Sequence, residues 1–355
     1  MSRPLKAVIH TAALTNNLLV ARQAAPAARI MSVVKANGYG HGLVRVAEAL
    51  EASDAFAVLS VHEAVRLREA GFNQPILLLE GVFTPDELTV VSEYGLSMVV
   101  HHGDQLAMLQ AAWPPAKIDV FLKLNTGMNR LGFAPDVFPQ GLSALRSCAA
   151  IGNITLMTHF ATADEAAGVG DQFARFRSLT QGMDLPTCVA NSAAILRYPE
   201  THGDWVRPGI MLYGASPFAE KQASDLGLQP AMSLVSEIIA VQNVKRGDQV
   251  GYGGAYVATQ DMRVGIVACG YADGYPRHAG TGTPIVVGGR RTRTLGRVSM
   301  DMLVADLSDI PGAGVGSPVT LWGQGLPVEE VARAAGTISY ELLTARAERV
   351  PVIEG

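Results

Sequence analysis

Polar side chains stand at the ends of four apolar runs in the first part of the sequence. Lys35 ends RIMSVVK, His159 lies at the end of ITLMTHF, Asn191 and Ser192 follow TCVA, and Arg207 lies within WVRPG. Each has an ordinary explanation when taken singly: a solvated strand-end lysine, a hydrogen-bonded core histidine, a surface ion pair. Separate structural roles do not explain why all of these residues lie at equivalent strand ends. Their shared position favours one common site.

A lysine on the floor of such a site is suited to nucleophilic chemistry. Burial disfavours the ammonium form, so that a neutral amine becomes free to form an imine with an aldehyde. The aldehyde cofactor of amino-acid chemistry is pyridoxal phosphate. Its phosphate needs hydroxyls and backbone amides in loops of small residues. Tyr39, Ser192 and the turn Pro208-Gly209-Ile210 supply both kinds of group.

The elements that would position these residues alternate between strand and helix. From residue 28 to about 215, amphipathic segments separate the apolar runs RIMSVVK, AFAVLS, PILLLE, LSMVV, KIDVFLKL, ITLMTHF, TCVAN and WVRPGIMLYG. Strands that are apolar on both faces indicate a parallel sheet covered by helices. About eight strands predict a (β/α)8 TIM-like barrel, with a doubly wound open sheet as the alternative. A barrel would gather the polar strand ends at its C-terminal face.

Capping signals mark several of the intervening helices. Ser60 with Glu63, and Thr84 with Glu87, have the spacing of capping boxes, in which two side chains satisfy free amides of the first turn. Gly71 stands where a left-handed residue would end a helix.

The second part of the chain has a different pattern. SLVSEIIAVQNV, RVGIVACG, TPIVVGGRRTRTLG and MLVADL predict strands, with a hairpin at Gly288 and Gly289, whereas only VEEVARAAG and SYELLTARAERV predict helices. We therefore expect a barrel domain over residues 1–225 and a mostly β domain over residues 226–355. The first strand, residues 6–10, is compatible with either domain.

Length and composition limit the function classes. At 355 residues, one large domain and a smaller one are expected, and 48% hydrophobic against 17% charged residues indicates a globular protein. The net charge of −4 gives no reason to expect nucleic acid or an acidic membrane surface.

The cysteines and the apolar segments indicate the cellular compartment. Cys148, Cys188 and Cys269 are far apart and form no C-x-x-C pair, so neither a disulfide framework nor a metal site is predicted. The sequence lacks the apolar region of a signal peptide and any stretch of about 18 apolar residues. We expect a cytoplasmic protein without membrane segments.

Nine motifs in order resemble the alanine racemase family, bacterial enzymes that depend on pyridoxal phosphate. They extend from residue 33 to about 343 and are VVKANGYGHG, LKLNTGMNRLGF, THFATAD, VANSAA, VRPGIMLYG, VGYGGAY, GYADGYPR, VSMDM and SYELL. A single motif would be weak, whereas nine in order are highly specific. One departure is Gly38, where the family usually has alanine.

The resemblance implies catalytic and cofactor roles. Lys35 would carry the cofactor as an internal aldimine and act as one base, and Tyr252 would be the base on the opposite face. Racemisation needs such a pair, because a proton leaves one face of the α-carbon and returns to the other. Arg207 would meet the pyridine nitrogen, and His159 would bond to Arg207 or pack near the ring. The phosphate would be bound by Tyr39, Ser192, Gly209, Ile210 and Tyr340.

The same resemblance implies how substrate is recognised. Arg130 and the main chain at Met300 would bind the substrate carboxylate. Lys123, commonly carbamylated in the family, would then hold Arg130 as an anion. An access corridor that admits small amino acids would consist of Tyr271, Arg277, Arg297 and Ile338.

The resemblance also implies an assembly. In this family the β domain of one subunit completes the site of the other. We therefore expect a head-to-tail homodimer with two composite sites, acting on L-alanine and D-alanine for peptidoglycan supply or for D-alanine catabolism.

Three other functions share part of this pattern. A broad-specificity amino-acid racemase of the same fold would differ mainly in the access corridor. A decarboxylase of the same fold is expected to place a carboxylate where Arg207 stands, which disfavours it. A non-enzymatic pyridoxal phosphate carrier would need neither residues 225–355 nor Tyr252.

Overall fold

A closed barrel of parallel strands forms most of the first part of the computed structural model, which describes residues 3–112, 114 and 116–355. Strand β1 (Lys6–Ile9) and helix α1 (Thr11–Ala24) precede it. The eight barrel strands are β2 (Arg29–Val33), β3 (Ala55–Val58), β4 (Ile76–Leu78), β5 (Ser97–Val100), β6 (Ile118–Lys123), β7 (Ile151–Met157), β8 (Thr187–Asn191) and β9 (Trp205–Arg207). Pairing of β2 with β9 closes the ring.

Helices follow the barrel strands and cover the ring. They are α2 (Lys35–Tyr39), α3 (Leu43–Ala49), α4 (Val61–Glu69), α5 (Pro85–Glu93), α6 (Gly103–Ala111), α7 (Phe138–Arg146), α8 (Gly170–Thr180) and α9 (Ser192–Arg197). All four residues of β3 are completely buried, as a strand enclosed between a barrel interior and outer helices requires. The predicted barrel is confirmed, and the open-sheet alternative is wrong because the outermost strands pair.

The remaining strands lie in the second part of the chain, and most of them join one mostly antiparallel sheet. They are β10 (Met232–Val244), β11 (Gln249–Val250), β12 (Tyr256–Val257), β13 (Met262–Val267), β14 (Pro284–Val287), β15 (Arg290–Leu295), β16 (Leu303–Asp306), β17 (Pro318–Trp322) and β18 (Val352–Glu354), with helices α10 (Val328–Ala334) and α11 (Ser339–Thr344). The sheet order is β13-β16-β15-β14-β17-β10-β1-β18, and β11 pairs with β12 separately. The long strand β10 also pairs with β13, and this pairing closes the six strands from β13 to β10 in the sheet order into a ring.

The first strand belongs to this second sheet. Strand β1 pairs antiparallel with β10, from Lys6 opposite Val235 to Ile9 opposite Met232, and parallel with β18. The backbone therefore runs from this sheet through the barrel and back to the same sheet. The domain boundary at residue 225 stays a prediction.

Two local predictions have different outcomes. Gly288 and Gly289 connect β14 to β15 at φ of +56° and +80°, as a two-residue hairpin turn requires. SYELLTARAERV was expected to be helical throughout, which is wrong after Thr344. The segment from residue 345 leaves the helix because tertiary partners take its polar groups: Ala347 donates its N–H to the Asp273 carbonyl oxygen, 3.0 Å away.

No helix within residues 3–112, 114 and 116–355 has both the length and the apolar composition that crossing a membrane requires.

Candidate active site

One cavity of about 840 Å³ opens at the carboxyl ends of the barrel strands. The structure brings eleven of the predicted site residues to its wall: Lys35, Tyr39, Lys123, Arg130, His159, Ser192, Arg207, Gly209, Ile210, Ile338 and Tyr340. Asn191 also lines it. The polar strand ends that suggested a common site therefore do converge.

The chain turns with left-handed geometry directly after Lys35. Ala36, Asn37, Gly38 and Tyr39 have φ values of 55°, 54°, 59° and 50° in succession. Non-glycine residues rarely adopt this conformation, and then usually as single residues. A left-handed turn is therefore a strained element, of the kind that concentrates at functional sites when the surroundings impose it.

Four hydrogen bonds hold this turn in its left-handed conformation. Glu63 accepts the Asn37 N–H at 3.3 Å, and the Asn37 side chain accepts the Leu43 N–H at 3.0 Å. The His41 ring donates from Nδ1 to the Tyr39 carbonyl oxygen at 2.8 Å, and Arg346 donates to the Gly40 carbonyl oxygen at 2.9 Å.

The Glu63 side chain does not complete the expected capping box with Ser60. Ser60 does accept the Glu63 N–H at 3.2 Å, which is half of a capping box. The Glu63 carboxylate instead accepts the N–H groups of Leu59 and Asn37. The helix start thus also fixes the turn that carries Lys35.

The environment of Lys35 makes its amine easier to deprotonate. Burial lowers the pKa of Lys35, and the nearby Arg130 cation lowers it further, while Glu80 and Glu63 act in the opposite direction. A lysine with a lowered pKa has more of the neutral, nucleophilic form near neutral pH.

A polar cradle lies beside the left-handed turn. Ser192 accepts the Gly209 N–H at 2.8 Å, and the Tyr39 ring stacks on Tyr213 with centroids 4.3 Å apart. A Cβ atom at Gly209 would lie 2.8 Å from the Tyr39 hydroxyl. The cradle therefore keeps its space only because position 209 is glycine. Hydroxyls and backbone around a glycine are a donor set that fits a phosphate group.

Arg207 is held rigidly at the end of β9. Its side chain is buried, and it donates to the carbonyl oxygens of Cys188 at 2.6 Å and Thr158 at 2.9 Å. It also lies 3.4 Å from Nδ1 of His159. Burial, followed by the neighbouring cations, holds the pKa of His159 well below its usual range. A neutral imidazole can accept from Arg207, whereas an imidazolium cannot.

Lys123, at the end of β6, shares the same cationic surroundings. Its side chain is buried, and burial followed by the charges of Arg207 and Arg130 lowers the pKa of Lys123 to about 8. Glu80 partly offsets these effects. An unmodified Lys123 is therefore an unfavourable neighbour for Arg130.

The cavity of this chain does not include five of the predicted residues: Tyr252, Tyr271, Arg277, Arg297 and Met300. All five are exposed residues of the β domain, and Tyr252 and Met300 expose 69% and 52% of their surfaces. Within a single chain, these residues do not meet Lys35.

Sequence reasoning missed the carboxylates of the cavity wall. Glu80, Asp164 and Glu341 all line it. A signal was present for the first, since Glu80 ends the run PILLLE much as Lys35 ends RIMSVVK. Asp164 and Glu341 lie within the motifs THFATAD and SYELL, and the resemblance implies no role for either of them.

Comparison with known proteins gives a consistent result along the whole chain. The family profiles "Alanine racemase, N-terminal domain" and "Alanine racemase, C-terminal domain" match residues 9–217 and 231–354. The alanine racemase of Nitrosospira multiformis is 60% identical over 353 residues, and that of Nitrosomonas eutropha 56% identical over 359 residues; each alignment covers 99% of both chains.

Solved structures are similar over the full length as well. The crystal structure of biosynthetic alanine racemase from Pseudomonas aeruginosa superimposes with a TM-score of 0.98 at 45% identity, covering 100% of both chains. Alanine racemase from Bacillus anthracis with bound L-Ala-P has a TM-score of 0.86 at 30% identity, covering 100% of this chain and 96% of that one.

Gly38 offers a test of the left-handed turn. An added Cβ would lie 2.7 Å from Cγ2 of Val46, whereas a Cβ at Gly95, whose φ of +57° nearly equals the +59° of Gly38, would meet nothing within 4 Å. Both Gly→Ala changes share a left-handed penalty of about 1–2 kcal/mol. Gly38→Ala should lose a further 1–3 kcal/mol or so of unfolding free energy through overpacking, measured by urea denaturation.

Val46→Ala provides the matching double-mutant cycle. It removes the methyl groups that the new Cβ would strike, so Gly38→Ala should cost less in the Val46→Ala background. Equal losses for Gly38→Ala and Gly95→Ala would contradict the role of Val46.

Proposed function

The chain belongs to the alanine racemase family, and from that premise we propose that it interconverts L-alanine and D-alanine with pyridoxal 5'-phosphate as cofactor. The observation that carries this proposal is the convergence, in one cavity, of a lysine with a lowered pKa, a glycine-dependent polar cradle and a rigid arginine. Pyridoxal phosphate, when joined to the substrate amine, withdraws electrons from the α-carbon and so makes its proton acidic.

The side chains fit the two ends of this cofactor. Tyr39, Ser192, Gly209, Ile210 and Tyr340 would bind the phosphate. Arg207 would face the ring nitrogen, where a permanent cation keeps a proton off that nitrogen. Lys35 would bind the aldehyde carbon and, once released by substrate, would take or return the proton on one face of the α-carbon.

The first test is a racemase assay on the holoenzyme across a panel of L-amino acids. Alanine should be the best substrate, and Lys35→Ala should be inactive because it lacks both the attachment point and one base. After borohydride reduction, peptide mapping should find the pyridoxyl group on Lys35. Attachment at another lysine would contradict the assignment, and comparable rates on large amino acids would favour the broad-specificity racemase.

The opposite face requires a second base, to which we assign Tyr252. Its phenol is exposed on the β domain and lies outside the cavity of its own chain. A second copy of the chain would have to bring it there. Other large exposed side chains of the β domain support such an interface: Tyr271, Met300, Met302 and Ile338. We therefore propose a head-to-tail homodimer in which each site combines the barrel of one subunit with the β domain of the other.

Substrate recognition would follow from the same composite site. Arg130 and the Met300 N–H would bind the carboxylate, since the Met300 carbonyl oxygen already accepts the Ala272 N–H at 3.0 Å. Tyr271, Arg277, Arg297 and Ile338 would line the access corridor.

We further propose that Lys123 is carbamylated. Attack on carbon dioxide needs a neutral amine, and a pKa of about 8 leaves about a tenth of the amine neutral at pH 7. The product is an anion, which Arg130 and Arg207 would stabilise where the unmodified ammonium repels them.

This modification predicts a pH-dependent carbon signal. Protein equilibrated with ¹³C-bicarbonate at pH 8.5 should show a carbamate resonance by NMR, and lowering the pH to 6 should weaken it because the amine is then protonated. Lys123→Met should abolish the resonance and Lys35→Ala should retain it. A signal that survives Lys123→Met would refute the assignment.

Tyr252→Phe tests the assignment of one base to each face. The phenyl ring preserves the packing and removes the titratable group. Exchange of the α-hydrogen with solvent deuterium should fall by about 10²- to 10⁴-fold from L-alanine and far less from D-alanine, which Lys35 serves. Equal defects from both enantiomers would show that Tyr252 does not serve one face.

Subunit mixing tests the composite site in the same pair of variants. A mixed dimer of Lys35→Ala and Tyr252→Phe chains regains both bases at one of its two sites. About half of randomly exchanged dimers are mixed, so roughly a quarter of the wild-type sites should return. No recovery after demonstrated subunit exchange would mean that one chain supplies both bases.

The biological role has two forms that use the same chemistry. D-alanine would be supplied to peptidoglycan, or degraded as a carbon source, in the cytoplasm. The biosynthetic alanine racemase of P. aeruginosa, with its TM-score of 0.98, supports the first form. Growth of a deletion strain with and without added D-alanine distinguishes them.

A further inference from the structure

Two turns of the β domain, residues 270–274 and 299–302, are bonded to each other. The N–H groups of Tyr271 and Ala272 donate to the carbonyl oxygens of Ser299 and Met300, at 3.1 Å and 3.0 Å. A Cβ at Gly270 would lie 2.3 Å from each of these oxygens. The two turns therefore move as one unit, which presents Tyr271 and Met300 at its surface.

Asp273 is the buried charge beneath this unit. Its side chain has 0% exposure and accepts the Gly270 N–H at 2.9 Å through Oδ2. Its other oxygen, Oδ1, accepts from Nη1 of Arg3 at 2.6 Å and from Nε of Arg349 at 2.7 Å. A buried carboxylate with three charge-assisted or main-chain donors is held firmly in one position.

The same two arginines also reach the second turn. Arg349 donates from Nη2 to the Asp301 carboxylate at 2.6 Å, and Arg3 bonds to the Asp301 carbonyl oxygen. Asp301 directly follows Met300 in the chain. Asp273 is thus the buried centre of an ion-pair network that holds both turns to the segments around residues 3 and 349.

The segment 343–349 also contacts the turn that carries Lys35. Arg346 bonds to the Gly40 carbonyl oxygen, and a Cβ at Gly40 would lie 2.2 Å from the Leu343 carbonyl oxygen. A Cβ at Gly274 would lie 2.1 Å from the Ala345 carbonyl oxygen. A change at Asp273 therefore has two routes of action: through Tyr271 and Met300, or through this segment to Lys35 of the same chain.

We propose that Asp273, together with Arg3 and Arg349, is a positioning residue that fixes Tyr271 and Met300 at the substrate access of the partner subunit's site. This inference rests on the composite site proposed above. Asp273 does not touch the reacting atoms. It sets where the exposed unit stands, and loss of its charge should let that unit shift away from the position in which it meets substrate.

Mixed dimers isolate the two routes. In a dimer of a Lys35→Ala chain and a Tyr252→Phe chain, the single active site uses the β domain of the Lys35→Ala chain and the barrel of the other. Asp273→Asn placed on the Lys35→Ala chain should raise KM for alanine and lower kcat/KM on the order of tenfold, as a modest misplacement of substrate contacts does. The same change on the Tyr252→Phe chain should leave both values unaltered.

Asp306→Asn is the matched control. Asp306 is a buried aspartate of the same domain that pairs with an arginine, Arg293 at 3.2 Å, away from the two turns. It should leave KM unaltered on either chain. Hydrogen–deuterium exchange should accelerate in residues 270–274 and 299–302 with Asp273→Asn and not with Asp306→Asn, a change that does not depend on activity.

Each result decides the proposal. Unchanged KM with Asp273→Asn on the Lys35→Ala chain would overturn the proposal, and a defect found only with the change on the Tyr252→Phe chain would indicate action through the segment 343–349. An equal defect from either chain would also overturn it, because the change would then act on more than the two turns. If Asp273→Asn fails to fold, Arg349→Gln removes one partner and leaves Arg3, with the same expectation. Mixed dimers that are inactive without any Asp273 change would instead refute the composite site itself.

Discussion

The convergence of four cations in one partly buried cavity is the constraint on which the candidate site depends. Lys35, Lys123, Arg130 and Arg207 all line the cavity at the end of the barrel. Burial first, and then repulsion by the neighbouring cations, lowers the pKa values of the two lysines and holds the pKa of His159 well below its usual range. A phosphate group, a substrate carboxylate and a carbamate would each relieve part of the repulsion among these cations.

The barrel is what forces these charges together. Parallel strands that close into a ring place all of their carboxyl ends on one face, and the side chains there have little freedom to separate. Arg207 illustrates this constraint, since carbonyl oxygens of β8 and of the segment after β7 hold its guanidinium in place. These hydrogen bonds therefore keep the Arg207 cation close to the other cations of the cavity.

The sequence predicted the barrel strands and most of the cavity wall, but not the left-handed turn or the end of the last helix. Eight apolar runs gave the barrel strands, and the polar residues at their ends gave most of the cavity wall, because burial on both faces leaves a clear signal in composition. The left-handed turn left no such signal, because neither Ala36 nor Asn37 requires a positive φ. The hydrogen bonds that hold the turn come from Glu63 and Arg346, which are far away in the sequence, and from His41, whose residue type does not indicate this role. The helical pattern after Thr344 failed for a related reason, since tertiary hydrogen bonds replaced the local ones.

The pairing of β1 has a consequence for synthesis on the ribosome. This strand emerges before all of the barrel strands, yet its neighbours in the sheet are β10 and β18. The barrel segments are all translated in between, while the backbone N–H and C=O groups of Lys6–Ile9 wait for partners. The second sheet therefore cannot be completed until residues 352–354 have left the exit tunnel, and the nascent chain must keep an unpaired strand out of aggregates until then.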